Sequence, residues 1–157
     1  MTFAFRTLFL SFIAVSMIIV ASADTRAAMS PSGEMVFVQE YVDAEQLVIA
    51  KDYNGAIPLL NAALKLRPDH ANAWNLLGFS HRKLGKFDDA EKYYEAALTV
   101  NPGHTGAMNY MGQLYIQTGR PAKAKELLEK LKVTCAKGCS DLTYLEKAVK
   151  EGVAGKY

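Results

Sequence analysis

The chain has 157 residues, 50% of them hydrophobic, with 18 Lys and Arg against 16 Asp and Glu. That is room for one domain of ordinary size. A net charge of only +2 speaks against nucleic-acid binding, which demands a strongly basic face, and leaves no polybasic patch for a membrane surface.

Residues 1–6 carry a single positive charge, Arg6, and residues 7–20 form an apolar run broken only by Thr7, Ser11 and Ser16. Ala21-Ser22-Ala23 then supplies a small-x-small site before Asp24. This order of parts predicts a secretory signal peptide over 1–23, cleaved after Ala23. The alternative is an uncleaved N-terminal membrane anchor, because the run approaches the lower limit of a span of roughly 17–25 residues. No cysteine follows the site, so a lipoprotein anchor is not indicated. Cleavage removes Arg6 and no acid, which leaves the mature chain close to neutral and expected to be free of the membrane. Residues 24–34 include the turn-rich Ser30-Pro31-Ser32-Gly33 and are expected to be a flexible leader.

From residue 37 the chain repeats itself with a period of about 34 residues. Trp74, Leu77, Gly78, Ala90, Tyr94, Ala97 and Pro102 form one register; Met108, Met111, Gly112, Ala124, Leu128 and Leu131 take the same places one period later. Ala44, Ala56, Leu60, Ala63 and Pro68 take them one period earlier. The units are 37–70, 71–104 and 105–138. Each divides into two helical patterns around a turn: at Lys51-Asp52 in the first, Gly85 in the second and Gly119-Arg120 in the third. Arg67-Pro68-Asp69 and Asn101-Pro102-Gly103 stop the first two pairs. Asp69 is the expected N-cap of the helix over 71–84, and Pro121 suits a first helical turn. Gly78 and Gly112 are expected to let the second helix of each pair approach the first, with Ala90 and Ala124 opposite them. The gain in packing offsets the roughly 1 kcal/mol that a mid-helix glycine costs. Residues 140–151 read as one more helix, with Leu142, Leu145, Ala148 and Val149 on one stripe.

These residues resemble the tetratricopeptide repeat family. The second unit matches best, with Trp74, Leu77, Gly78, Ala90, Tyr94, Ala97 and Pro102 at the signature positions and Gly85-Lys86-Phe87 at the turn. The first unit departs from the pattern at Glu40 and Asp43. The third has Ala136 in place of the closing proline. The resemblance covers about 37–138 and implies an all-α fold. It would be a right-handed superhelical stack of three helix pairs (domain span 35–139) plus a capping helix and tail over 140–157, seven helices and no strands in all.

The resemblance also implies a concave groove lined by the first helix of each pair, and a protein or peptide as partner. Carried over, the groove positions are Val38, Tyr41, Glu45, Val48 and Ile49; Asn72, Asn75, Phe79, Arg82 and Lys83; and Gly106, Asn109, Gln113, Ile116 and Gln117. Tyr41, Glu45, Asn72, Asn75, Phe79, Arg82, Asn109 and Gln113 are the expected partner-binding set. Asn75 and Asn109 share a register, and a ladder of carboxamides can both donate to and accept from an extended peptide backbone. The bland reading is a solvated polar face. Phe79 with Arg82 and Lys83 suits an acidic or aromatic segment, unless Phe79 simply packs on a neighbouring helix. Some members grip the C-terminal carboxylates of heat-shock chaperones with a clamp of Lys, Asn and Arg. Tyr41, Glu45, Leu76, Gly106 and Tyr110 occupy those places here, so that activity is not carried over.

Cys135 and Cys139 are the only cysteines. In an exported protein they are expected to form a small disulfide, with Gly138 turning the chain between them. The sharper reading is a redox or metal site, but the spacing is not C-x-x-C and no further ligands stand nearby. His70 and His104 are expected in loops a full repeat apart, and His81 as a packed, hydrogen-bonded core residue. No phosphate loop, nucleophile elbow or metal-ligand spacing appears. The expectation is a non-enzymatic adaptor without cofactor or metal, exported and most naturally periplasmic. A self-associating scaffold is the runner-up, because Val38, Val42, Val48 and Ile49 place apolar residues on the first helix.

Overall fold

A computed structural model describes residues 31–152. The signal peptide over 1–23, its cleavage site and the end of the tail therefore lie outside the described residues. Those described form seven α-helices and no strand: α1 (Pro31–Ile49), α2 (Tyr53–Leu66), α3 (Ala71–Lys83), α4 (Phe87–Val100), α5 (Thr105–Gln117), α6 (Pro121–Thr134) and α7 (Ser140–Glu151). None is long and apolar enough to cross a membrane.

The first helix begins earlier than expected. Residues 31–34, assigned to the flexible leader, are its first turn. Pro31 lacks an N–H that this position would leave unpaired in any case, and its fixed φ suits a helix start. Glu34 adds favourable charge to the first turn and pairs with Arg67 at 3.1 Å, tying α1 to the end of α2.

The helices pack as pairs, α1 with α2, α3 with α4 and α5 with α6, and α7 leans on both α5 and α6. The turn inside each pair needs one residue in the left-handed region. Gly85 and Gly119 supply it at φ 74° in the second and third pairs, while the first uses Lys51 at φ 64°. Glycine enters that region without steric cost, and lysine does not. Asp52 then caps α2, its carboxylate accepting from the Gly55 N–H at 2.9 Å.

The entry to the later pairs corrects the sequence expectation. Asp69 does not cap α3; its carboxylate turns back to Arg67 at 3.3 Å. His70 is the cap, its Nδ1 accepting from the Ala73 N–H at 3.2 Å. His104 repeats the arrangement at α5, accepting from the Ala107 N–H at 3.1 Å. Each cap requires a neutral imidazole with the lone pair on Nδ1. Burial favours that neutral form and lowers both histidine pKa values, helped at His70 by Arg67. His81 lies in the core, its Nδ1 2.9 Å from the Leu77 carbonyl oxygen and its ring against Tyr93.

Two apolar clusters hold the stack. One joins the first two pairs through Ala44, Ala56, Leu60, Leu64, Ala73 and Leu77. The other runs from Ala90 and Tyr94 through Met108, Met111 and Leu114 to Leu128, Leu131 and Leu145. The repeated glycines serve different neighbours. A Cβ at Gly78 would lie 2.6 Å from the ring of Tyr94, in the second helix of the same pair. A Cβ at Gly112 would instead lie 2.5 Å from a methyl of Leu145 in α7. The expectation that Gly112 admits its own partner helix is thus replaced by a seat for the capping helix. Beyond α6, Cys135 and Cys139 are joined by a disulfide with their Cα atoms 5.8 Å apart, and Gly138 between them has φ 85°.

Candidate groove on the first helices

The first helices bring the expected groove positions onto one side of the stack but leave them in unequal environments. On α1, Tyr41 is half-buried and its hydroxyl donates to Glu45 Oε1 at 2.7 Å. Burial, then Glu45, raises the phenol pKa well above its ordinary range. The Tyr41 ring meets His70 edge-on at 4.7 Å, and Phe37 meets the same imidazole at 4.9 Å. Val38 and Ile49 are exposed and Val48 is half-buried.

On α3, Asn72 is exposed. Its Oδ1 lies 2.8 Å from His104 Nε2, which carries the proton because Nδ1 is engaged in the cap. Asn75 is buried, and its Oδ1 reaches no donor among the described residues. Phe79 answers both readings made of it. Its ring packs against Tyr53 of α2 at 6.0 Å and Tyr110 of α5 at 5.0 Å, yet it remains half exposed.

Arg82 is only 5% exposed. Its guanidinium lies 5.6 Å from the Phe79 ring centre and 6.0 Å from that of Tyr110. Nη1 makes one long hydrogen bond, 3.5 Å to Gln117 Oε1, while Nε and Nη2 find no acceptor among the described residues. The buried Tyr94 hydroxyl lies beside Arg82; burial dominates and raises its pKa, against the lowering by the Arg82 charge and hydrogen bonding. Lys83 Nζ also stands over the Phe79 ring, 5.5 Å from its centre. Burial lowers the lysine pKa, and the charges of Arg82 and Lys51 lower it further. Three cations thus gather where α1 and α3 end.

The third pair departs from the expected groove. Asn109 and Gln113 are buried rather than groove-lining, as is Ile116. Asn109 Nδ2 donates to Asp141 Oδ1 of α7 at 3.0 Å, and Gln113 Nε2 donates to Asn109 Oδ1 at 2.8 Å. Thr105 donates to the other Asp141 oxygen at 2.7 Å. Asn75 and Asn109 therefore do not form two equal rungs. A buried carboxamide must find partners, and the capping helix supplies them for only one of the pair. Gly106 and Gln117 keep some exposure. Sequence reasoning did not assign Lys51 and Tyr53 to this surface, and placed Tyr110 there only as the residue standing at a clamp position. Aromatic residues near the turn of the first pair and at the sixth place of the third unit were the available signal.

Among the described residues no group of three or more His, Cys, Asp or Glu is placed to hold a metal.

The stack is similar to several solved structures. The TPR domain of Arabidopsis OM64 aligns with a TM-score of 0.69 at 16% identity, over 77% of this chain and 99% of that one. The TPR2B domain of yeast Sti1, solved as a complex with pHsp70, gives 0.71 at 17% identity over 75% and 96%. The type III secretion chaperone SycD of Yersinia enterocolitica, solved with a peptide of the translocator YopD, gives 0.66 at 18% identity over 76% and 90%. Identities this low carry the fold alone. No curated protein sequence matches the chain. Two family profiles described as tetratricopeptide repeat match residues 69–131 and 47–79. Together the two matches span residues 47–131, and the chain belongs to the tetratricopeptide repeat family.

Proposed function

We propose that this protein is a non-enzymatic adaptor that binds a peptide or protein segment in the groove formed by α1, α3 and the exposed part of α5. The observation that carries this reading is the set of half-exposed aromatic and polar side chains on the first helices: Tyr41, Asn72, Phe79 and Tyr110. Rigid rings supply contact area at small entropic cost, and carboxamides pair with a backbone. The Sti1 domain and SycD, of the same fold, were solved with pHsp70 and with a YopD peptide, which supports a peptide-binding use. The expected address is the periplasm, with assembly of an envelope or secretion-type machine as the setting. The order of parts over 1–23 supports export, and a disulfide suits an oxidising compartment.

The test is crosslinking capture of the tagged protein from native envelope extract, with Phe79→Ala/Asn75→Ala alongside. A discrete partner recovered with the parent and lost with the variant supports the groove. Equal recovery by both removes it. The N-terminal residue of the secreted protein, expected to be Asp24, checks the address independently.

A second reading has its own observation. α1 exposes Met35 (69%), Val36, Val38, Val42 and Ile49 (72%), an apolar surface on which a second copy could stack. SycD, of similar fold, has a structure described as an alternative dimer. Sedimentation velocity over a hundredfold concentration range decides: a concentration-dependent dimer that Val38→Lys abolishes supports self-association, and a monomer throughout rejects it.

A further inference from the structure

We infer that α7 is a built-in occupant of the third-repeat part of the groove, and that the Cys135–Cys139 disulfide is the latch whose reduction releases it. This deepens the adaptor reading and rests on it for the use of the uncovered surface.

α7 does not continue the stack as the earlier joints do. α3 and α5 each pack mainly on the second helix of the pair before them and only lightly on its first. α7 reverses this order, packing mainly on α5 and less on α6. It thereby covers Asn109 and Gln113, two positions that the repeat pattern assigns to the groove. Asp141 presents one carboxylate oxygen to Asn109 Nδ2 at 3.0 Å and the other to the Thr105 hydroxyl at 2.7 Å. Leu145, one turn further along α7, is fully buried and fills the space left by the missing side chain of Gly112. An acid and an apolar residue on one helix face therefore hold α7 to α5.

The hold is local. A helix of 12 residues is marginal in water without packing, so α7 leaves its seat by melting as a small unit. The joint before it decides how much freedom it gains. Only residues 136–138 separate the cysteines, and Gly138 in the left-handed region turns the chain between them. The disulfide ties Cys139, the N-cap of α7, to Cys135, the C-cap of α6. That removes conformations from the released state rather than from the docked one.

Cys135 is buried in the cluster that contains Leu145, while Cys139 is partly exposed. A thiolate of a dithiol reductant therefore attacks Cys139 Sγ. The S–S bond breaks, Cys135 departs as a thiolate and takes up a proton, and the reductant is joined to Cys139 as a mixed disulfide. The reductant's second thiolate attacks its own sulfur in that bond, and Cys139 departs and is protonated in turn. Two electrons and two protons pass to the chain, and the reductant leaves as its disulfide. With the tie gone, α7 opens more often and bares Asn109, Gln113 and Gly112.

The test compares the oxidised full chain, the same chain in dithiothreitol, and Cys135→Ala/Cys139→Ala without reductant. In amide hydrogen exchange, residues 140–151 should exchange about tenfold faster in the second and third samples than in the first, with α1 to α4 unchanged. The second readout is an NMR titration with a synthetic acetylated peptide of residues 140–152, the occupant supplied in trans. It should move the Asn109 and Gln113 side-chain amides and half-saturate the reduced chain at about a tenth of the concentration needed for the oxidised one. Exchange in α7 that ignores reduction would overturn the latch, as would equal acceleration throughout the stack, whatever the groove binds. Faster exchange in α7 with no gain in peptide binding would overturn the site beneath it and leave the groove of α1 and α3 in place. The adaptor reading itself is decided separately, by the capture experiment with Phe79→Ala/Asn75→Ala.

Discussion

The first and third repeats follow one template, yet the same register positions meet opposite fates. Tyr41, Glu45 and Val48 of α1 are half-exposed, whereas Asn109, Gln113 and Ile116 of α5 are buried. The difference is α7. It seats Leu145 on Gly112 and Asp141 on Thr105 and Asn109, and no described helix does the same for α1. In a stacked repeat, exposure is decided by what the neighbour provides as much as by the residue itself.

Breaking the cap should produce the largest effect. Leu145 is fully buried, so Leu145→Ala should cost about 3 kcal/mol in urea unfolding. At the other end Ile49→Ala, largely exposed, should stay within about 0.5 kcal/mol. Comparable losses at both ends would mean that α1 is covered as well.

The two glycines sharpen the contrast. Gly78→Ala pushes a methyl into the Tyr94 ring, close to Cγ as well as the ring edge, and should cost about 2 kcal/mol. Gly112→Ala meets only the branched tip of Leu145, which can rotate away, and the better helix propensity of alanine offsets part of the clash. Its loss should be at most half as large. The reverse order would show that α7 is the more rigid wall.

The two asparagines come next. Asn109→Ala deprives both Asp141 and Gln113 of a partner and should cost about 1–2 kcal/mol. Asn75→Ala leaves no partner stranded and should be nearly neutral.

The smallest effect concerns pH. Burial lowers the folded-state pKa of His70 and His104 below the usual 6.5, so the unfolded chain takes up protons first as pH falls. The stability from these caps is complete above pH 6.5 and is lost as pH drops through and below that value. The expected change between pH 7.5 and 5.5 is about 1 kcal/mol, the usual worth of a cap. His70→Asn/His104→Asn should flatten it, because asparagine caps without titrating. An unchanged slope would assign the pH dependence to other groups.

Much of this was legible in the sequence. The period placed the helices, the glycines marked close approaches, and Gly138 marked the turn between the cysteines. What escaped depended on distant parts of the chain or on uncommon chemistry. His70 and His104 were read as loop residues because histidine is not among the preferred caps, although Nδ1 can accept as an oxygen does. The burial of Asn109 required knowing that Asp141 would reach it from α7. That no carboxylate among the described residues pairs with the buried Arg82 depends on where every acid in the fold lies, and no local pattern records it.

The capping helix also bears on symmetry. With α7 closing one end of the described stack, its two ends are no longer complementary, so head-to-tail growth of a fibre has no matching surface. Association through α1 would pair identical faces about a two-fold axis and stop at two copies. Such a pair would place two grooves in one particle, and a ligand with two binding segments could bridge them at high effective concentration.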